Sequence, residues 1–424
     1  MKQLLKPTLL LGALVGIYTQ PALAVNWLML QGTEPAQQAP RANIWGFIQA
    51  DFQSTNDTKL KAGPFAGEEA AFNQLAPQLD SAQEFNIRRA RIGVRGNNLP
   101  LDAKVNYFLL AEFGNNGITT GPNASRGQLT DASITLNHLP GARIRAGLFK
   151  TPGSEEGLQS ATIFQYINFT NVTDRILNER FFDNASGNTD RNAPVGSFRD
   201  TGVQVFDSFK HADWEYTYAL MLGNGSGVSL NNPDNDFDHY AYFSAEKIFG
   251  QSVGPRRHGV KLFGWLQDGK RTLNTGTFDR QRSGIGSTYF DGKYRLMAEY
   301  ITADGMIYGG TSGGGIPQDG ATFSVQPEEK AKGYYLDLGY RLLPKLELNL
   351  RYDLLDSGTE VAANRREFQT TTLGAQYFLN AKTVLRFNYE LRSIKAPDLP
   401  SSSPVHQILD AVDDRISAQV SIGF

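Results

Sequence analysis

The chain has no cysteine. Disulfide staples, thiolate metal sites and a thiol nucleophile are therefore excluded, and stability must come from burial and hydrogen bonding. It also has no long hydrophobic run. The most apolar stretch, Leu9 to Ile17, falls well short of the ~20 residues a helix needs to cross a bilayer. Nor is there an excess of positive charge. With 41 basic and 43 acidic residues the formal charge is -2, a poor basis for binding nucleic acid, which rests on neutralising phosphates. Methionine is scarce, at five residues, whereas glycine (43), phenylalanine (26) and tyrosine (17) are abundant. That balance suits many strands and tight turns better than helices.

The N-terminus reads as a processing signal. Lys2 and Lys6 flank the short apolar run, and Ala22-Leu23-Ala24 supplies a small-x-small cleavage pattern. Cleavage after Ala24 would remove two lysines and no acid, taking the formal charge from -2 to -4. Residues 25–42 form a Gln/Pro/Ala-rich lead-in without periodicity, expected to be mobile or partly docked. The remainder, 43–424, reads as a single domain.

Strand-like alternation recurs through that domain about sixteen times. Segments are placed near 43–52, 86–95, 103–113, 129–138, 142–150, 201–209, 214–221 and 238–249, then near 257–267, 280–290, 293–302, 332–342, 345–355, 366–379, 382–392 and 414–424. The pattern is cleanest late in the chain. Leu346, Leu348, Leu350, Tyr352 and Leu354 share one face, while Glu347, Asn349, Arg351 and Asp353 share the other. A soluble sandwich also alternates, so alternation alone does not choose. The segments are long for a soluble sheet and suited to a tilted membrane crossing. Tyr334, Tyr340, Tyr352 and Tyr377 sit at the ends of apolar faces, as in interfacial girdles. Turns alternate short (139–141, 291–292, 343–344, 380–381) and long (114–128, 304–331, 396–413). These features predict a transmembrane antiparallel β-barrel of about 16 strands. Hydrocarbon offers no partners to edge N–H and C=O groups, so the sheet must close, and sixteen strands leave a water-filled lumen.

One connection is too long for a turn. After the strand Ala142–Lys150 no comparable strand appears over 151–199. Ile163, Phe164, Tyr166, Ile167, Phe169, Ile176, Leu177, Phe181 and Phe182 give it too many apolar anchors for disorder. It is expected to fold into the lumen as a constriction loop, the alternative being an extracellular loop packed on itself.

Parity of alternation places Arg89, Arg91, Arg95, Arg143 and Arg145 on the lumen wall, with Lys150 at the end of the fifth strand and Arg295, Arg351 and Arg386 elsewhere. Guanidinium groups present forked donors matched to carboxylate or phosphate oxygens, so such a wall favours anions. Glu112, Asp131, Glu299, Asp337, Glu347, Asp353 and Glu390 share this face and offer neutralising partners. The loop contributes Glu155, Glu156, Arg175 and Arg180. Basic strands facing an acidic loop are expected to set up a transverse field that orders dipolar solutes with mild charge preference.

Two segments carry a family resemblance. Asn86-Ile-Arg-Arg-Ala-Arg-Ile-Gly-Val-Arg-Gly96 resembles the second strand of the phosphate-selective porin O/P family. Ala142-Arg-Ile-Arg-Ala-Gly-Leu-Phe-Lys-Thr-Pro152, followed by Glu155-Glu156-Gly-Leu158, resembles that family's strand leading to its inward loop. Thr130-Asp131-Ala132 and the terminal Ile422-Gly423-Phe424 also fit. The resemblance implies a 16-stranded bacterial outer-membrane barrel, usually trimeric, with arginine ladders and a lysine-rich constriction. The chain departs from that pattern where selectivity is set: residues 151–199 hold Arg175, Arg180, Arg191 and Arg199 but no lysine, and carry Glu155, Glu156, Asp174, Glu179, Asp183 and Asp190. Phosphate or polyphosphate specificity therefore does not follow from the resemblance.

The expectation is a passive porin in the outer membrane of a Gram-negative bacterium, admitting small polar or anionic solutes, with no cofactor, no metal and no enzymatic step. Its partners are those solutes, outer-membrane lipid and, by resemblance, two further copies of the chain. The alternatives are a non-selective diffusion porin, a barrel hydrolase, and a structural or adhesin barrel. Gly310-Thr-Ser312-Gly-Gly314 matches a nucleophile-elbow pattern but has no helix following it. Asp234, Asp236 and Asp238 are spaced like calcium ligands without the distal glutamate, and the five histidines form no metal-ligand spacing.

Overall fold

A computed structural model describes residues 26–424 apart from 35–39, 64–65, 69, 74–81, 98–101, 117–118, 120–126, 180–181, 184–188, 191–196, 233–234, 251–256, 274 and 309–324. The proposed signal segment, Arg180, Phe181, Arg191, Asp234 and the Gly310–Gly314 motif lie outside the described residues. No helix among the described residues is long and apolar enough to cross a membrane, which says nothing of strands.

Sixteen strands close into one antiparallel barrel. They are β1 (Asn43–Ser54), β2 (Gln83–Asn97), β3 (Val105–Glu112), β4 (Gln128–Leu136), β5 (Arg143–Lys150), β6 (Arg199–His211), β7 (Trp214–Gly223) and β8 (Asp238–Ile248). Then follow β9 (Gly259–Leu273), β10 (Gly276–Phe290), β11 (Tyr294–Asp304), β12 (Lys330–Leu343), β13 (Leu346–Ser357), β14 (Arg366–Asn380), β15 (Thr383–Lys395) and β16 (Arg415–Gly423). Each strand pairs with its chain neighbour, and β1 closes on β16 from Phe47↔Gly423 to Ser54↔Ile416. The terminal Phe424 ring lies over Gly46, where a Cβ would come within 2.3 Å of it. Backbone bonds exchanged between Gly46 and Phe424 complete the seam.

The barrel follows from period-two patterning. On β13, Glu347, Asn349, Arg351 and Asp353 are buried toward the interior while Leu348 and Leu350 are exposed on the outer wall. The same inversion of a soluble core holds at Ile92, Leu220, Phe243, Leu262, Leu338 and Phe387, all exposed. Aromatic pairs mark both ends of the outer wall, with Tyr294 and Tyr340 at 5.3 Å and Tyr334 and Tyr352 at 6.1 Å between centroids.

Two boundaries stand out against the sequence reading. Residues 268–279, read as a loop, extend β9 and β10 to a tight turn, with Leu273 opposite Gly276. Arg199, assigned to the long loop, is the first residue of β6 and pairs with Lys150. The lead-in is docked where it is described. Residues Trp27–Leu30 form a 3-10 turn with Leu28 buried, capped by the Asn26 side chain accepting from Leu28 N.

Candidate pore site

Two segments occupy the lumen. The first is the connection after β5, which carries short helical turns at Glu155–Leu158, Ala161–Ile163 and Thr173–Leu177. It is fastened to inward-facing side chains at mid-strand. Ser154 Oγ donates to Glu299 on β11 (2.9 Å), and Tyr166 OH donates to Asp337 on β12 (2.9 Å). Asn171 N and Nδ2 donate to Asp353 on β13 (2.8 and 2.7 Å), and Ile167 N donates to Asn388 on β15 (2.8 Å). On the β1 side Gln49 Nε2 donates to Ala161 O (2.8 Å). Glycine on the wall permits the approach: a Cβ on Gly333 of β12 would lie 2.7 Å from the loop's Val172. The buried Tyr166, Ile167, Ile176 and Leu177 are the apolar anchors that the sequence offered.

The second segment is residues 26–34. Asn26 donates to Glu215 of β7 (3.2 Å), and Gln31 Nε2 donates to Asp131 of β4 (2.9 Å). Glu34 accepts from Asn106 of β3 (3.0 Å) and lies 3.3 Å from Arg95. Trp27 Nε1 donates to Glu155 (2.9 Å), so the two segments touch inside the barrel.

The predicted basic residues separate into groups. Arg89, Arg91, Arg145 and Lys150 come together on β2 and β5, each at least largely buried, beside the first turns of the loop. Arg95 and Arg143 lie nearer the short-turn rim and are partly exposed; Arg143 pairs with Asp207 (3.1 Å) and donates to Asn137 (2.9 Å). Arg295, Arg351 and Arg386 face the lumen from the far wall. Arg295 pairs with Asp337 (2.6 Å). Arg351 pairs with Glu156 (3.2 Å), and Arg386 donates to Phe164 O (2.7 Å) and Thr162 O (2.8 Å). Arg175 lies over the Phe368 ring of β14, 3.9 Å from its centroid.

The transverse field expected of an acidic loop is not what the geometry gives. Glu155 pairs with Lys261 of β9 (2.6 Å), Glu156 with Arg351, and Glu179 with both Arg280 and Arg282 of β10. A carboxylate within hydrogen-bond reach of a cation contributes little field beyond it, because the pair is close to neutral at a distance. What faces the basic cluster instead is loop backbone. Lys150 Nζ donates to the carbonyls of Gly157, Leu158 and Gln159 at 2.8, 3.1 and 2.7 Å. Burial pushes the Glu156 carboxyl above its ordinary range even though Arg351 opposes the shift.

The wall cations divide by partner. Arg91 pairs with Glu112 (2.6 Å), Arg199 with Asp131 (3.0 Å), and Arg88 with Asp51 (3.3 Å). Arg89, Arg145 and Lys150 have no carboxylate within 4.0 Å among the described residues. Arg89 donates to Gln49 Oε1 (2.9 Å) and lies 5.6 Å from the Phe164 ring centroid. Arg145 donates to the Leu28 carbonyl (3.3 Å) and to that of Gln31.

Strict alternation missed Arg88. The β1–β2 register slips between Gln49 and Ala50, so that Arg88 has no partner opposite and its side chain is buried inward beside Arg89. Two adjacent arginines in a lipid-facing strand are the signal that could have found it. One of them would meet hydrocarbon unless a bulge turned it inward. Arg280 and Arg282 fell inside the strand read near 280–290 but were not named among the lumen cations, and residues 26–34 were missed because they show no periodicity.

A closed 16-stranded barrel with an inward loop and a basic lumen wall is porin architecture. The family model "Phosphate-selective porin O and P" matches residues 63–242, under half of the chain but spanning both segments on which the resemblance was drawn. Among solved structures the barrel is similar to an anion-selective porin from Comamonas acidovorans, at 14% identity and a TM-score of 0.56, covering 90% of this chain and 99% of that one. It is also similar to the outer membrane channel DcaP of Acinetobacter baumannii (12% identity, TM-score 0.54, 90% and 97% covered). A third similar structure is Salmonella typhi OmpF in complex with daunomycin (12%, 0.56, 90% and 97%). At these identities the likeness is one of fold. No curated protein sequence matches the chain.

Proposed function

We propose that the chain is a passive outer-membrane porin that admits small polar solutes with a preference for anions. The supporting observation is the unneutralised charge of Arg89, Arg145 and Lys150 on the lumen wall, where no carboxylate lies within 4.0 Å among the described residues. Buried cations without counter-ions lower the energy of a passing anion and raise that of a cation. In this reading the signal peptide is removed after Ala24, the loop after β5 narrows the passage, and the barrel assembles as a homotrimer. No cofactor, metal or catalytic step takes part. Conductance of the purified protein in a planar bilayer tests the reading. Stepwise ohmic currents in potassium chloride are expected, and a barrel that inserts without conducting would overturn it.

A second reading, a non-selective diffusion porin, is favoured by the ion pairs made by Arg91, Arg95, Arg143, Arg199, Arg295 and Arg351. A reversal potential near zero in a salt gradient would select it.

A further inference from the structure

The proposed function leaves the chemistry of the anion open, and a pocket beside the basic cluster narrows it. It lies between residues 27–31, the first turns of the loop, and the lumen faces of β1, β2, β3, β5 and the start of β6, and has a cavity volume of about 50 Å3, room for a small solute in place of a few waters at ~10–15 Å3 each. Arg91, Arg145, Lys150 and Arg199 line one part of it. The three guanidinium groups are almost fully enclosed, at 8%, 2% and 4% exposure for Arg91, Arg145 and Arg199.

Each guanidinium is held by one edge and open at another. Arg91 spends Nε on Glu112, Arg199 spends Nε on Asp131, and Arg145 spends Nη2 on the backbone of residues 28 and 31. Arg91 Nη1, Arg145 Nη1 and Arg199 Nη2 make no hydrogen bond among the described residues. These donors are left available to an acceptor supplied by a solute or by water. The rest of the lining is of another kind. Trp27, Trp45, Phe47 and Phe108 present rings, with Leu30 and Leu110 between them.

We propose that this pocket binds an organic monocarboxylate with an aromatic or short aliphatic body, in preference to inorganic phosphate. The inference rests on the porin reading and deepens it. A tetrahedral phosphate carries oxygens on every side, so half of its hydration would be stripped against rings that return no hydrogen bonds. An arylcarboxylate puts both oxygens on one edge, where planar guanidinium groups match them, and its ring on the other. Lys150 and Arg145 leave the pocket with positive charge to spare, since Glu112 and Asp131 offset only Arg91 and Arg199.

The test is block of chloride current through the full mature chain in a planar bilayer, with benzoate and inorganic phosphate as probes. Benzoate is expected to reduce the current at a concentration about tenfold or more below that of phosphate. Arg145→Gln should abolish the benzoate effect. Phe47→Asn, which keeps every cation, should lose the preference for benzoate over phosphate and so answers the question if the arginine variant fails to fold. Equal block by the two probes in the unaltered protein, or a preference unchanged in Phe47→Asn, would overturn the pocket while leaving the porin reading standing. Absence of any chloride current would instead overturn the porin reading itself.

Discussion

Trp27 donates its indole N–H to Glu155 at 2.9 Å, joining the N-terminal segment to the first turn of the lumen loop. Lys261 holds the other carboxylate oxygen of Glu155 at 2.6 Å. Three parts of the chain far apart in sequence thus meet on one carboxylate inside the barrel. A hydrogen bond to a charged, enclosed acceptor contributes about 1.5–3 kcal/mol. Trp27→Phe removes that donor and retains most of the ring. It is expected to loosen the N-terminal segment and make current noise larger without changing heat-modifiable mobility, measured by single-channel recording and electrophoresis. Unchanged noise would show that the segment is held by its other contacts.

The relation between Arg88 and Asp51 carries a second prediction. Both side chains are buried, 3.3 Å apart, and Arg88 also donates to Asn168 of the loop at 3.0 Å. Removing one member of a buried pair strands the other, at a cost of about 3–5 kcal/mol. Arg88→Ala should lower the temperature at which the folded barrel converts to the slow-migrating form, and Arg88→Ala with Asp51→Ala should recover part of the loss. A double variant as weak as the single one would argue against the pair.

How much of this was legible in the sequence depends on which physical rule wrote it. The outer and inner faces of β13 were readable from Lys345 to Leu354, because lipid and water impose opposite chemistry at every residue of a strand. The bulge at Arg88 was signalled only by the adjacent arginines, since register itself belongs to two strands at once. The long loop announced itself by its length and its apolar anchors. Its contacts with Glu299, Asp337, Asp353 and Asn388 did not, because those partners lie more than a hundred residues away. Alternation could propose which basic residues share the inner face, but which of them are neutralised depends on distances that alternation does not encode.

Depth-dependent cost offers a third prediction. Leu350 sits mid-strand on the outer face of β13, and Leu342 close to the short-turn rim of β12; both are exposed. Leu350→Arg should cost about 2–4 kcal/mol of folding free energy in vesicles, and Leu342→Arg about 0–1 kcal/mol. Reversible unfolding from lipid vesicles in denaturant measures both. Equal costs would mean the outer wall is not graded by a bilayer.

A pH dependence follows from Glu156. Burial raises its carboxyl above the ordinary value, with Arg351 opposing. A folded value above the unfolded one means that the folded state holds the proton more tightly. The ionised form therefore costs stability above the folded value, and that cost is relieved as pH falls through it. Protonation also releases the charge of Arg351. Anion preference should rise on acidification, beginning above the usual carboxylate range, and Glu156→Gln should remove that step. Reversal potentials measured at successive pH values check it; a profile identical in the variant would rule Glu156 out.

The central claim is that unneutralised cations on β2 and β5 set the selectivity of a water-filled pore. Reversal potential across a potassium chloride gradient measures it most directly, in the unaltered protein and in the Arg89→Gln, Lys150→Gln double variant. The account predicts the sign set by chloride in the first, and a shift toward the potassium value in the second. A potassium-set sign in the unaltered protein, or no shift in the variant, would contradict it.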